Sequence, residues 1–117
     1  MQKLHEAGYA HNDIKPENIV TSLDRPDDFI MIDMGFASRF LDAETGEHIS
    51  KGRSKNSRGT PFYASLGNHN GKVTTRRDDL QSLNYMLLKF LYPGFLESNF
   101  KKSLIGTKRN IIEILKS

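Results

Sequence analysis

The chain contains no cysteine, which excludes a disulfide scaffold and every cysteine-based zinc site. Long apolar runs are missing too. The longest, around 29–32 and 85–92, fall far short of the roughly 20 residues that a membrane-spanning helix needs. The first residues, Met1-Gln2-Lys3-Leu4-His5-Glu6, lack the apolar centre of a signal peptide, so an intracellular location, cytoplasmic or nuclear, is expected. His5, His11, His48 and His69 show no ligand spacing, so a zinc site is not expected from them either. Charge of one sign is scarce: 17 Lys and Arg stand against 14 acids, a net charge of +3. That excess suits an anionic partner without selecting one. Nucleic acid is not the expected partner, because the basic run Lys51, Arg53, Lys55 and Arg58 has no interleaved aromatic residue.

What remains is a chain of 117 residues, 37% apolar and 26% charged, the size of one globular domain with a modest core. Met1 to Gly8 reads as the last turns of a helix, with Gly8 as its stop. The polar segment His11-Asn12-Asp13-Ile14-Lys15-Pro16-Glu17-Asn18 is broken by proline and reads as a loop. Ile19 to Ser22 and Phe29 to Ile32 read as two strands joined by the turn residues Asp24 to Asp28, a β-hairpin. Residues 33–75 hold six of the nine glycines and no long periodic apolar run, which predicts a long loop, functional or disordered. Leu80, Leu83, Leu87 and Leu91, with Tyr85, Met86, Leu88 and Phe90 beside them, predict a helix over about 76–92 that is buried on most sides and stopped by Pro93-Gly94. A last helix is predicted over 108–116. The expected fold class is mainly α with a small β-hairpin.

Chemistry concentrates in the loop and just after the hairpin. Phosphoryl transfer from a nucleotide needs a carboxylate at the acceptor hydroxyl, a cation at the moving phosphoryl group, and oxygen ligands for Mg²⁺. Asp13, Lys15, Asn18 and Asp33 supply one residue type for each task. Taken singly, Asp13, Lys15 and Asn18 are ordinary loop residues; it is their order, with Asp33-Met34-Gly35 after the second strand, that points to a site.

Residues 11–18 resemble the catalytic loop of a protein kinase, and Asp33-Met34-Gly35 its metal-binding turn, usually written DFG. Lys15 followed by Pro16 resembles the serine/threonine class. Gly59-Thr60-Pro61-Phe62-Tyr63-Ala64-Ser65 and Arg76-Arg77-Asp78-Asp79-Leu80-Gln81-Ser82-Leu83 resemble the casein kinase I group, including the vaccinia-related kinases, and Ser65-Leu66-Gly67-Asn68 fits that group's replacement for Ala-Pro-Glu. The likeness runs over roughly residues 3–95. It implies that the chain is part of a kinase domain, a partial C-terminal lobe with catalytic loop 11–18, metal-binding turn 33–35, activation segment 33–68 and buried helix 76–92, the N-terminal lobe being absent. It implies ATP and Mg²⁺ as cofactors and the Ser or Thr hydroxyl of a protein as acceptor. Asp13 would then be the catalytic Asp, Lys15 the phosphate-contacting Lys, and Asn18 and Asp33 the metal ligands. Thr60 would hydrogen-bond near Asp13 and Lys15, and Asp79 would cap the loop backbone from below.

Three positions depart from the family. Asn12 replaces an Arg that commonly meets an activation-loop phosphate, so ordering by phosphorylation is not expected. Met34 replaces the Phe of the metal-binding turn, an apolar exchange. Phe62 replaces an Arg that reads a phosphate or acid on the substrate, so a preference for such substrates is not expected. The sequence carries no Gly-rich phosphate loop, strand Lys or paired helix Glu. Weak or absent transfer by this chain alone is therefore expected, with a second chain or missing lobe completing the cleft. The alternative is a non-catalytic kinase-like binding module or inactive fragment, its apolar surface over residues 80–91 uncovered.

Overall fold

A computed structural model describes residues 1–49 and 58–94. Helix α1 covers Gln2–Glu6. It stops where Gly8 takes φ +84°, a left-handed turn that glycine enters without a Cβ penalty. Strand β1, Tyr9–Ala10, follows at once. A single 3₁₀ turn over Pro16–Asn18 closes the polar loop, with Pro16 at its first position, where the missing N–H costs nothing. Strands β2, Ile19–Thr21, and β3, Phe29–Met31, form the expected hairpin in the antiparallel register Ile19↔Met31, Val20↔Ile30 and Thr21↔Phe29. Its turn is closed by Ser22 N–H on the Asp28 carbonyl at 3.0 Å and by an Arg25–Asp28 ion pair at 2.9 Å.

Strand β4, Ser38–Arg39, returns antiparallel beside β1, pairing Tyr9 with Arg39 and Ala10 with Ser38. The Arg39 guanidinium lies over the Tyr9 ring and donates to its hydroxyl at 2.8 Å. Helix α2, Leu66–His69, is a single turn capped by Ser65, whose Oγ accepts from Asn68 N–H. Helix α3 covers Arg76–Leu91 and starts on Thr75, whose N–H donates to the carboxylate of Asp78 at 2.8 Å.

The expected mainly α fold is corrected. The described residues are about 33% helical and 15% strand, with two small antiparallel sheets instead of one hairpin, and their arrangement does not mark a kinase lobe. The physical reason lies in the segment after Asp33: part of it folds back as β4 against β1, and α2 is only four residues long. The predicted burial of the 76–92 helix is corrected as well. Leu80, Leu87, Phe90 and Leu91 are exposed, and the buried residues of α3 are Asp78, Asp79, Ser82 and Met86. Of the apolar surface expected to be uncovered over 80–91, these four side chains are exposed, whereas Leu83, Tyr85 and Leu88 are half-buried and Met86 is buried. The predicted helix over 108–116 and most of the basic run lie outside the described residues.

Among the described residues six apolar side chains are buried against ten polar or charged ones, so the interior is organised by directional hydrogen bonds as much as by apolar packing. Phe40 is the largest fully buried side chain among them. It meets the rings of His5 and His48, with the Arg76 guanidinium 5.4 Å from its centroid. Among the described residues no helix is long and apolar enough to cross a membrane.

Phe40→Ala should therefore cost about 3–5 kcal/mol, read as a lower urea midpoint with unchanged slope. Leu23→Ala, at a side chain 99% exposed, should move the midpoint by less than about 0.5 kcal/mol in the same experiment.

Candidate active site

The loop between β1 and the 3₁₀ turn is held from below by one carboxylate. Asp79, 1% exposed on the first turn of α3, accepts from the backbone N–H groups of His11 at 2.7 Å and Asn12 at 2.9 Å. Its Oδ2 also lies 2.7 Å from His5 Nε2 on α1. A buried carboxylate is tolerated when donors surround it in this way.

His11 carries the connection onward. Its Nδ1 lies 3.2 Å from the backbone N–H of Asp13, and its Nε2 lies 3.1 Å from the Ile32 carbonyl. An N–H donor facing Nδ1 makes that nitrogen the acceptor, which assigns the ring proton to Nε2 and directs it at Ile32. The ring therefore joins the loop to the end of the hairpin. Asn12 adds a second tie: its Nδ2 donates to the Phe36 carbonyl and to Ser38 Oγ, each at 2.8 Å. Asn12 sits at φ +68°, a left-handed conformation that asparagine enters more readily than most residues. Its Oδ1 is the one buried side-chain polar atom without a partner among the described residues.

Three of the expected site residues, Lys15, Asn18 and Thr60, converge on a fourth, Asp13, itself 4% exposed. Oδ1 accepts from Thr60 N–H at 2.7 Å. Oδ2 accepts from Asn18 Nδ2 at 3.0 Å and pairs with Lys15 Nζ at 3.1 Å. Lys15 Nζ also donates to Thr60 Oγ1 at 3.0 Å, which closes a ring of contacts through Asp13, Lys15 and Thr60. Burial pushes the Asp13 carboxyl up, but hydrogen bonds from Thr60 and Lys15, with the Lys15 charge, outweigh it and hold the carboxyl below the usual aspartate range.

Asn18 spends its Nδ2 on Asp13, both on the carboxylate and on the backbone carbonyl at 2.8 Å. Its Oδ1 accepts nothing from the described residues. Asp33 is not drawn into the Asp13 ring. It is exposed, at φ +61°, and uses Oδ1 to accept Gly35 N–H at 3.1 Å. The hairpin nonetheless brings the two near each other, because Ile32 N–H donates to the Asn18 carbonyl at 2.9 Å, so Asp33 lies one residue past the partner of Asn18. Among the described residues no group of three or more His, Asp or Glu side chains gathers to hold a metal ion. The donors that do exist, one amide oxygen and one carboxylate, fit Mg²⁺, which takes oxygen ligands, keeps waters, and needs only one or two protein groups beside phosphates.

Sequence reasoning missed the parts that place Thr60. Ser65 Oγ donates to Asp78 Oδ1 at 2.6 Å. Asn68, on α2, clamps the backbone of Arg58, accepting its N–H at 3.0 Å and donating to its carbonyl at 2.6 Å. Next to that clamp Gly59 turns at φ +73°, where an added Cβ would run into the Asn12 carbonyl oxygen. The pair of acids at 78 and 79, followed by an apolar pattern, is the signal that could have found Asp78, since an acid three residues after Thr75 marks a helix start. Asn68 stands in the segment Ser65-Leu66-Gly67-Asn68 already singled out, but nothing in its spacing pointed to a clamp on Arg58. No protein-family model matches the chain.

Gly59→Ala should destabilise the chain by more than about 1 kcal/mol, since both the positive φ and the Asn12 carbonyl oppose a Cβ; the check is a urea titration, with the Thr60 amide resonance reporting whether its bond to Asp13 survives. Asp13 also sets a pH dependence. Its folded carboxyl titrates below the unfolded one, so the unfolded chain takes up the proton first as pH falls. The stability it contributes is thus complete above about pH 4 and is lost as pH drops through the folded value. The stability difference between the wild type and Asp13→Asn should be constant at pH 6–7 and shrink below about pH 4.

Proposed function

We propose that the Asp13 cluster transfers the γ-phosphate of ATP to a serine or threonine hydroxyl of a protein substrate, as in the casein kinase I group. The observation that carries this reading is a buried, ionised carboxylate shared among a lysine, an amide and a threonine, with Asp33 one residue past Ile32, whose N–H binds the Asn18 carbonyl. Phosphoryl transfer passes through a loose transition state, so orientation and charge stabilisation matter more than proton abstraction. A carboxylate held below the usual range is a weak base and a good orienting acceptor, which suits that demand. Among the described residues Asp13 Oδ1 accepts only from Thr60 N–H, so a lone pair remains for a substrate hydroxyl. Lys15, bridged between Asp13 and Thr60, brings the positive charge to the position where charge develops. Asn18 Oδ1 and Asp33 would hold Mg²⁺, which when bound would neutralise negative charge on the phosphate groups. The reading rests on the site and not on the fold.

A second reading, a binding module without catalysis, is favoured by the apolar side chains α3 leaves exposed, with Phe29 and Ile30 exposed on the hairpin.

The test is transfer of labelled phosphate from ATP to casein by the full chain, after circular dichroism has established folding. Slow transfer is expected, abolished by chelating Mg²⁺ and reduced about 10²–10⁴-fold in Asp13→Asn. A folded chain that transfers no phosphate, or an Asp13→Asn variant as active as the wild type, overturns the phosphotransferase reading and leaves the binding module.

A further inference from the structure

The described residues hold a recess that shares no lining residue with the Asp13 cluster. Between α2 and the start of α3 lies a cleft of about 180 Å³ lined by Leu66, Gly67, Asn70, Lys72, Arg77 and Gln81, space for roughly six waters. Every charged group on that lining is positive.

The neighbouring hydrogen bonds determine what the cleft can offer. Gln81 Oε1 accepts from Leu66 N–H at 3.2 Å. The amide oxygen is thus committed, and the Nε2 hydrogens have no acceptor among the described residues. Lys72 is exposed and makes no ion pair among the described residues. Arg77 makes a single ion-pair contact there, at 3.7 Å from Asp78 Oδ2. That oxygen already accepts from Thr75 N–H at 2.8 Å, and the other carboxylate oxygen from Ser65 Oγ at 2.6 Å. Asp78 is thus occupied in building the start of α3 and neutralises Arg77 only in part. The cleft presents a guanidinium fork, an ammonium and an amide donor, with no acid on its lining.

We infer that this cleft is a binding site for a phosphomonoester dianion. A carboxylate offers two oxygens and one charge. A phosphoryl group offers three terminal oxygens and nearly two charges, which matches two cations and an amide N–H better. Arg77 supplies paired donors to two of the oxygens, Lys72 a point charge to the third, and Gln81 Nε2 a neutral donor at the rim. The site is independent of the chemistry at Asp13, because none of its donors belongs to that cluster. The ligand is either free phosphate or a phosphorylated side chain of a protein, and the two sources share this chemistry.

The experiment follows backbone amides and side-chain NH₂ groups of the full chain by NMR while inorganic phosphate is added at constant ionic strength, with chloride as the reference. Saturable shifts at Leu66, Gly67, Lys72 and the Gln81 NH₂ are expected. Lys72→Gln with Arg77→Gln should weaken binding at least tenfold, and Lys3→Gln, an exposed lysine on α1, should leave it unchanged. Gln81→Glu keeps the acceptor for Leu66 N–H and places a negative charge in the cleft; it too should weaken binding at least tenfold, and it stands in for the double variant if that one does not fold. Shifts that chloride reproduces, that do not saturate, or that weaken less than tenfold in these variants overturn the site. A phosphoserine peptide that binds more tightly than inorganic phosphate assigns the ligand to a phosphorylated protein segment, and equal binding assigns it to free phosphate.

Discussion

The arrangement depends on the buried carboxylate of Asp79. It stands on the first turn of α3 and receives a ring nitrogen from α1 and two backbone N–H groups from the loop. A desolvated carboxylate costs several kcal/mol unless its oxygens are answered, so the three donors are held to one geometry and the elements that carry them follow. Once His11 and Asn12 are fixed at their backbones, the His11 ring meets Ile32 and the Asn12 amide meets residues 36 and 38. The hairpin end, β4 and the loop are thereby referenced to a single point on α3.

The second feature of consequence is the polarity of the interior. Apolar burial is non-directional and tolerates sliding, whereas a hydrogen bond fails within a few tenths of an ångström and a few tens of degrees. A chain this rich in buried polar groups gains little bulk stabilisation and considerable positional definition. Thr60 illustrates the result. It reaches Asp13 across 47 residues, by way of the Asn68 clamp on Arg58 and the turn at Gly59. The outer side of α3 is the counterpart: Leu80, Leu87, Phe90 and Leu91 stay exposed, and Met86 is the one apolar residue of the helix that is buried.

How much was legible in the sequence depended on the range of the interaction. The hairpin, the stop at Gly8 and the bounds of the 76–92 helix, observed as Arg76–Leu91, follow from local turn chemistry and periodicity. Asp13, Lys15 and Asn18 lie within six residues, but only with Asp33-Met34-Gly35 after the second strand did they suggest a site. The β1–β4 pairing was not legible, since strands of two residues show no alternation and are made by a partner about 30 positions away. The four-residue α2 is too short for a periodic pattern. Periodicity also misjudged which side of α3 is inside. It ranked the leucines over the acids, but the loop needed an acceptor for two N–H groups, and that requirement turned Asp79 inward and left Leu80 out.

Asn12 and Asp33 are the two non-glycine residues with positive φ among those described, and they flank the site, one before the Asp13 loop's acid and one after the hairpin. Each narrows the set of substitutions the chain can accept. Valine, isoleucine or threonine at either position would meet the steric penalty of the left-handed region. Glycine would relieve the backbone, yet at 12 it would delete the amide that reaches residues 36 and 38, and at 33 the carboxylate that accepts Gly35 N–H. Change at these two positions therefore trades one cost for another: a β-branched residue strains the backbone, and a glycine gives up the side-chain hydrogen bonds that tie the loop and the hairpin end in place.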